Sequence, residues 1–151
     1  MDTSQTDQLA ERIAAKHECL RQLVELGRAQ FELIEANDLA RLLRLLAAKQ
    51  VLIGRLEAVS KSLEPFRGQD PEARVWRTAE LRECAARQLR ECDEFFALVS
   101  QQEQQSEARL RTKRDDAGSR LRTIHSADHT RTAYGTSESR SRHELDLASS
   151  E

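Results

Sequence analysis

The sequence predicts an all-α protein: an elongated, antiparallel three-helix bundle, coiled-coil-like, with a long third helix and a disordered C-terminal tail. Strong helix formers, namely Leu, Ala, Glu, Gln and Arg, dominate the first 118 residues. Chain breakers are scarce, with 5 Gly and 2 Pro in 151 residues. Large apolar residues recur every three or four positions, as on one face of a helix, and no long stretch alternates apolar and polar residues.

The first predicted helix spans about residues 6–35. Thr6 or Asp7 is the expected N-cap, because both side chains accept hydrogen bonds from free backbone N–H groups. Gly27 lies within the apolar stripe of this helix and indicates a close approach to another helix. The stripe consists of Leu9, Ile13, Leu20, Val24, Phe31 and Ile34.

The second predicted helix spans about residues 38–63 and follows a short joint in which Asn37 is the expected N-cap. Pro65 is expected to end it, since proline lacks an N–H donor and clashes with the preceding turn. Two adjacent apolar stripes predict contact with more than one neighbour. The first stripe contains Leu39, Leu42, Leu46, Ile53, Leu56 and Leu63, and the second contains Leu45, Leu52, Val59 and Phe66.

The third predicted helix spans residues 71–118, with Asp70 as N-cap and Pro71 at its first position. Its expected buried stripe is Val75, Leu81, Ala85, Leu89, Cys92, Phe96 and Val99. Residues 100–107 are polar, and a sparse stripe then resumes at Leu110, Ala117, Leu121 and Ile124. The sequence thus predicts a helical bundle domain over residues 1–118.

Residues 119–151 are predicted to form a flexible tail. Leu121, Ile124, Leu145 and Leu147 are its only large aliphatic residues. Burying each would gain about 1.5–3 kcal/mol, whereas ordering the backbone costs about 1–2 kcal/mol per residue. Summed over the 33 residues of the tail, the entropic cost is several times the gain from burying four side chains. We therefore expect the tail to order only on a partner.

Charge and hydropathy exclude several function classes. The 24 basic and 26 acidic residues give a net charge of −2 without a strong basic patch, so we expect no nucleic-acid partner. The sequence has no apolar stretch long enough to predict membrane insertion, and no signal peptide is visible. The expected location is therefore the cytoplasm. The three cysteines, Cys19, Cys84 and Cys92, are an odd number and predict buried apolar residues rather than a disulfide framework.

Catalytic chemistry is not expected. His125 and His129 are four residues apart, but no further ligand completes a metal site, and no phosphate-binding loop or nucleophile elbow occurs. We therefore expect no enzyme, no catalytic residue, no metal and no cofactor. His17 is expected at a helix interface, and Lys49 is expected to snorkel at the edge of the bundle.

A wide apolar helical surface on a chain without catalytic motifs favours helix-to-helix recognition. The competing interpretation is that the apolar residues of positions 1–99 are all satisfied inside the bundle. That interpretation does not extend to Leu110, Leu121 and Ile124, which have no evident partner within the chain.

The start of the second helix carries a family resemblance. It reads Glu35-Ala36-Asn37-Asp38-Leu39, then a Leu-rich turn, Lys49-Gln50-Val51-Leu52-Ile53 and Leu56-Glu57. This pattern, within a similarity over roughly residues 9–63, resembles the FlgN family of flagellar export chaperones. The family resembles this chain in length, is helical throughout and ends in a flexible tail that often contains a tyrosine, which Tyr134 loosely matches.

The resemblance implies a chaperone of flagellar type III export in the cytoplasm. Such a chaperone binds C-terminal helical segments of hook-associated (hook–filament junction) proteins, prevents their premature assembly and delivers them to the export gate. It also implies that Tyr134 docks at the gate. The residues that it nominates for cargo are Phe96, Val99, Leu110, Leu121 and Ile124.

Two alternatives stay open at this stage. One is an adaptor, or a chaperone for another flagellar export substrate such as the filament cap. The other is a structural coiled-coil protein whose apolar faces drive homo-oligomerisation.

Overall fold

The protein is all-α, as the sequence predicts. A computed structural model describes the backbone of residues 2–148 and the side chains of residues 2–135. Within this part of the chain there are three α-helices, α1 (Thr3–Glu35), α2 (Leu39–Arg67) and α3 (Ala79–Ala148), a short 3₁₀ helix at Pro71–Ala73, and no strand. The chain divides into two compact units, Met1–Arg109 and Leu110–Glu151.

The first unit is an up-down-up bundle. Gln30 near the end of α1 meets Lys49 early in α2, and Arg12 near the start of α1 donates to the carbonyl oxygen of Ser62 near the end of α2. This reversal of order makes α1 and α2 antiparallel. Contacts between α1 and α3 instead rise together along both helices, from His17–Glu91 to Val24–Gln102, so these two helices run in parallel.

The core of the bundle consists of two apolar clusters. The first lies near the start of α1 and the end of α2, and Val59 and Trp76 pack against it. The second lies further along α1, and Phe95 and Val99 of α3 pack against it. The buried members are Leu9, Ile13, Leu63, Phe66 and Ala85 in the first cluster and Leu20, Leu23, Leu52 and Cys92 in the second.

The start of α1 differs from the prediction. The N-cap is Asp2, whose carboxylate accepts from the N–H of Gln5 at 3.0 Å. Thr6 is fully buried inside the helix, and its hydroxyl lies 2.7 Å from the carbonyl oxygen of Val75. Thr6 therefore ties the segment before α3 to α1, while Asp7 forms an exposed ion pair with Arg77.

The joint between α1 and α2 differs from the prediction at its two polar residues. Asn37 adopts a positive φ of 55° and reverses the chain, a conformation that asparagine tolerates better than most residues. Asp38 is the N-cap of α2 and accepts from the N–H of Arg41. The prediction of Asn37 as N-cap was therefore wrong.

The connection to α3 is longer than predicted. Pro65 lies inside the last turn of α2, which ends at Arg67. Asp70 and Pro71 do cap and begin a helix, but this helix is the three-residue 3₁₀ turn. The third α-helix begins at Ala79, after the Thr78 hydroxyl that accepts from the N–H of Leu81. Val75 precedes the helix and is exposed, so it is not part of a buried stripe.

Several other residues of the predicted stripes are exposed, because three slender helices cover only part of each other's circumference. They are Phe31, Leu39, Leu46, Leu81, Leu89 and Phe96. The two apolar stripes predicted for α2 are thus only partly buried.

The second unit is helical up to Ala148, where the composition predicted a disordered tail over 119–151. Its threonine hydroxyls bond back to carbonyl oxygens one turn earlier, as in Thr123 to Ser119 and Thr130 to Ser126. Helix formation here needs only local backbone hydrogen bonds, and no proline follows Pro71 to interrupt them. Leu145 and Leu147 lie outside the residues whose side chains are described. No helix within residues 2–148 is both long and apolar enough to cross a membrane.

Candidate binding surface

A buried polar layer joins all three helices of the first unit. The ammonium group of Lys49 in α2 donates to Oε1 of Gln30 in α1 at 3.0 Å and pairs with the carboxylate of Glu103 in α3. Lys49 and Gln30 are both almost fully buried, whereas Glu103 is about half exposed. Lys49 therefore does not snorkel at the edge of the bundle, as the sequence had suggested.

Two effects act in opposite directions on the charge of Lys49. Burial lowers the pKa of its ammonium group, because removal from water disfavours the charged form. The neighbouring Glu103 carboxylate favours that same charged form. The ion pair with Glu103 of α3 therefore stabilises the charged form of Lys49, which burial disfavours.

Gln102 makes a second polar link between α3 and α1. Its Nε2 atom donates to the carbonyl oxygen of Val24 at 3.1 Å. Gly27 leaves room for this contact, because a Cβ at that position would overlap Oε1 of Gln102 and displace its side chain. The prediction that Gly27 marks a close helix contact is therefore confirmed. Oε1 of Gln102 is itself buried and has no hydrogen-bond partner among the described residues.

The polar run at residues 100–107 thus packs in part against the other two helices, through Gln102 and Glu103. Ser106 is almost fully buried, and it continues the heptad of Ala85, Cys92 and Val99. Arg109 then pairs with Glu35 at the end of the first unit.

Two of the nominated cargo residues lie in the first unit, in different environments. Phe96 is 61% exposed and lines a shallow groove between helices together with Leu20, Leu56 and Cys92. Val99 packs against the second core cluster. Phe96 therefore offers apolar surface to a partner, while much of the Val99 side chain is already used in the core.

The other four nominated residues lie in the second unit and are exposed. Leu110, Leu121 and Ile124 are 41%, 67% and 58% exposed, and Tyr134 is 69% exposed. Leu110, Ala117, Leu121 and Ile124 follow one another at spacings of seven, four and three residues. These spacings place the four residues on one face of α3. The unit thus carries a narrow apolar stripe on an otherwise polar helix.

His17 and two of the three cysteines lie within the bundle of the first unit. His17 contacts Glu91 of α3, and its ring lies 5.3 Å from that of Phe95, which places it at a helix interface. Cys19 and Cys92 are buried, and burial raises the pKa of the Cys92 thiol. Over the described residues, no three His, Cys, Asp or Glu side chains come together in a group that could hold a metal ion.

Comparison of the chain with protein-family models, with curated proteins and with solved structures finds no match.

Sequence reasoning missed the polar layer, although one signal for part of it was present. The seven-residue spacing of Cys92 and Val99 continues at Ser106, so the sequence could have predicted a buried position within the polar run. The partners of Lys49 lie 19 residues before it and 54 residues after it, and nothing local in the sequence connects them.

Proposed function

We propose that the protein is a cytoplasmic export chaperone that binds the C-terminal helical segments of hook-associated flagellar proteins. In this role it shields those segments from premature assembly and carries them to the flagellar type III export gate. The proposal rests on the resemblance of residues 9–63 to the FlgN family.

The observation that supports it best is the exposed apolar stripe of Leu110, Leu121 and Ile124. Full burial of an exposed large aliphatic side chain gains about 1.5–3 kcal/mol, and these three, which are 41–67% exposed, would each gain roughly half of that. Their spacing suits an amphipathic helix laid alongside α3, because Leu110 and Leu121 lie about three turns apart and Ile124 follows Leu121 by about one turn. Phe96 adds an exposed aromatic side chain in the first unit.

Tyr134 is proposed to dock at the export gate. It is more exposed than any of the nominated cargo residues, so its ring and hydroxyl are free to meet a partner. Tyrosine combines a large apolar surface with a polar end, which makes it a frequent anchor in interfaces.

The test is a calorimetric titration of the full chain with a synthetic C-terminal segment of a hook-associated protein from the same organism. We expect saturable 1:1 heat and a negative heat-capacity change, the signature of apolar burial. A C-terminal segment of the filament-cap protein serves as the second titrant.

Each outcome separates the candidate functions. Tight binding of the filament-cap segment alone would replace the proposed cargo with another flagellar substrate. No heat with either segment, together with a stable homo-oligomer in light scattering, would reject a chaperone in favour of a structural coiled coil.

A further inference from the structure

A second apolar surface lies on the outward side of α2, away from the core of the bundle. Leu43 and Val51 are 68% and 56% exposed, and Ala47, Gly54 and Ala58 are exposed beside them. Their spacing of four, four, three and four residues places the five on one helix face, which we call the α2 face.

One edge of the α2 face is basic. Arg44 and Arg55 are both exposed, and neither forms a hydrogen bond or an ion pair with the described residues. They lie 11 residues apart, which is three helical turns or about 16 Å on the same side of the helix. No acidic residue occurs in α2 before Glu57, so these two charges are not neutralised by their own helix.

One acidic group of the neighbouring helix lies beside this edge and is already engaged. Glu25 of α1 lines the groove beside Val51 and Arg55. Its carboxylate accepts from Arg21 at 2.6 Å, within a pair of ion bridges that also includes Glu18. The guanidinium groups of Arg44 and Arg55 thus remain available to a partner.

Gly54 gives the face its flatness. A Cβ at this position would meet nothing within 4 Å, so packing inside the chain does not require glycine. In a helix interior glycine is less favourable than alanine. A helix that packs closely against the α2 face would use the space that the missing side chain leaves open.

From these observations we infer that the α2 face binds an acidic amphipathic helix of a partner protein. The apolar stripe of that helix covers Leu43 and Val51, and carboxylates about three turns apart along one edge pair with Arg44 and Arg55. The inference does not depend on the proposed cargo function, which uses residues of α3.

Charge complementarity decides among the occupants of this face. A second copy of the α2 face would bring the same arginines and would not supply the carboxylates. A membrane-surface helix typically presents large side chains such as Trp, Phe and Leu, whereas three of the five residues here are Ala or Gly.

The test uses two synthetic helical peptides of about 18 residues, long enough for measurable helicity. They share one Leu/Ala stripe and differ at two edge positions 11 residues apart, which are Glu in one peptide and Lys in the other. Binding to the full chain is measured by fluorescence anisotropy at low and at near-physiological salt. We expect the Glu peptide to bind about tenfold more tightly, with a preference that falls as salt rises.

The variant Arg44→Glu/Arg55→Glu is expected to reverse this preference in favour of the Lys peptide. The matched control, Arg82→Glu/Arg90→Glu, makes the same charge change on exposed positions of α3 and should leave the preference unchanged. Val51→Glu should weaken binding of both peptides. Circular dichroism checks that each variant is folded. If the charge-reversal variant is not folded, Arg44→Gln/Arg55→Gln replaces it and should abolish the preference.

The inference is overturned if neither peptide binds, if both bind equally, or if the reversal variant keeps the original preference. Self-association that Val51→Glu abolishes would instead assign the face to a second copy. Binding to phosphatidylglycerol vesicles, lost in the same variant and without peptide binding, would assign it to a membrane surface. Failure of this inference is distinguishable from failure of the cargo function, because the calorimetric test uses a different ligand and the proposed cargo residues lie on α3.

Discussion

Gln102 of α3 donates a hydrogen bond from its side-chain amide to the main-chain carbonyl oxygen of Val24, 3.1 Å away in α1. A mid-helix carbonyl is already engaged in the hydrogen bonds of its own helix, so this contact adds a second donor to one acceptor. Gly27, one turn later, leaves the space that the amide occupies. Two helices are thus joined by a polar side chain where apolar residues usually interlock.

This relationship predicts opposite roles for two glycines in helix interiors. Gly54→Ala should raise the free energy of unfolding by up to about 1 kcal/mol, because alanine has the higher helix propensity and its Cβ meets nothing. In Gly27→Ala the new Cβ displaces the Gln102 amide, and the lost hydrogen bond costs about 0.5–1.5 kcal/mol. Urea unfolding should therefore show Gly27→Ala to be the less stable variant by about 1 kcal/mol. Equal stabilisation by both substitutions would contradict the Gln102 contact.

The polar layer predicts strong coupling between Lys49 and Glu103. Glu103→Gln leaves a buried ammonium group without its carboxylate and should cost about 1–3 kcal/mol of stability. Lys49→Met leaves Glu103 half exposed and hydrated, so its cost comes mainly from the buried Oε1 of Gln30, which loses its donor. In the double variant no buried charge is left unpaired, so Glu103→Gln should add little to the cost of Lys49→Met. A double-mutant cycle from urea unfolding measures this coupling, and additive effects would count against the pair.

The existence and order of the helices were predictable because each rests on local spacing. Residue roles at helix ends were less so. Asn37 and Asp38 both suit an N-cap, and only the chain reversal, which needs a positive φ, separates them. Likewise, Leu39 and Leu52 belong to stripes of the same spacing on α2. The position of α1 and α3 then decides that Leu52 is buried and Leu39 is exposed.

The candidate surfaces divide in a similar way. The stripe of Leu110, Leu121 and Ile124 was predictable, since helical spacing alone places the three residues together. The α2 face was not, because exposure depends on which side of a helix its neighbours leave uncovered. The helix beyond residue 119 also differed from expectation. The expectation compared side-chain burial with backbone entropy and left out the backbone hydrogen bonds that form within the helix itself.

Replacing Leu110, Leu121 and Ile124 together by Gln should weaken binding of the hook-associated segment by at least about tenfold. Three exposed apolar anchors are lost, and each contributes about 1 kcal/mol or more when buried by a partner. Helix content and melting temperature should change little, because the three side chains are exposed in the free protein. Calorimetry and circular dichroism on the same samples provide the two readouts.

Leu20→Ala is the matched control for that triple variant. Leu20 is buried in the second core cluster, so its truncation should destabilise the bundle by about 2–5 kcal/mol. If the triple variant unfolded as readily as Leu20→Ala, its three residues would belong to a core, and the proposed cargo surface would lose its main residues.

Tyr134→Ala should reduce secretion of the hook-associated cargo in cells without changing its affinity in the titration. The reason is that the proposed roles of the second unit are separate: the apolar stripe holds the cargo, and Tyr134 meets the gate. Tyr134→Phe is the conservative control, and it should retain secretion if the ring rather than the hydroxyl makes the contact. Secretion is measured by the amount of cargo in the culture medium relative to the cell pellet. An equal loss of cargo affinity in Tyr134→Ala would move this residue from the gate contact to the cargo surface.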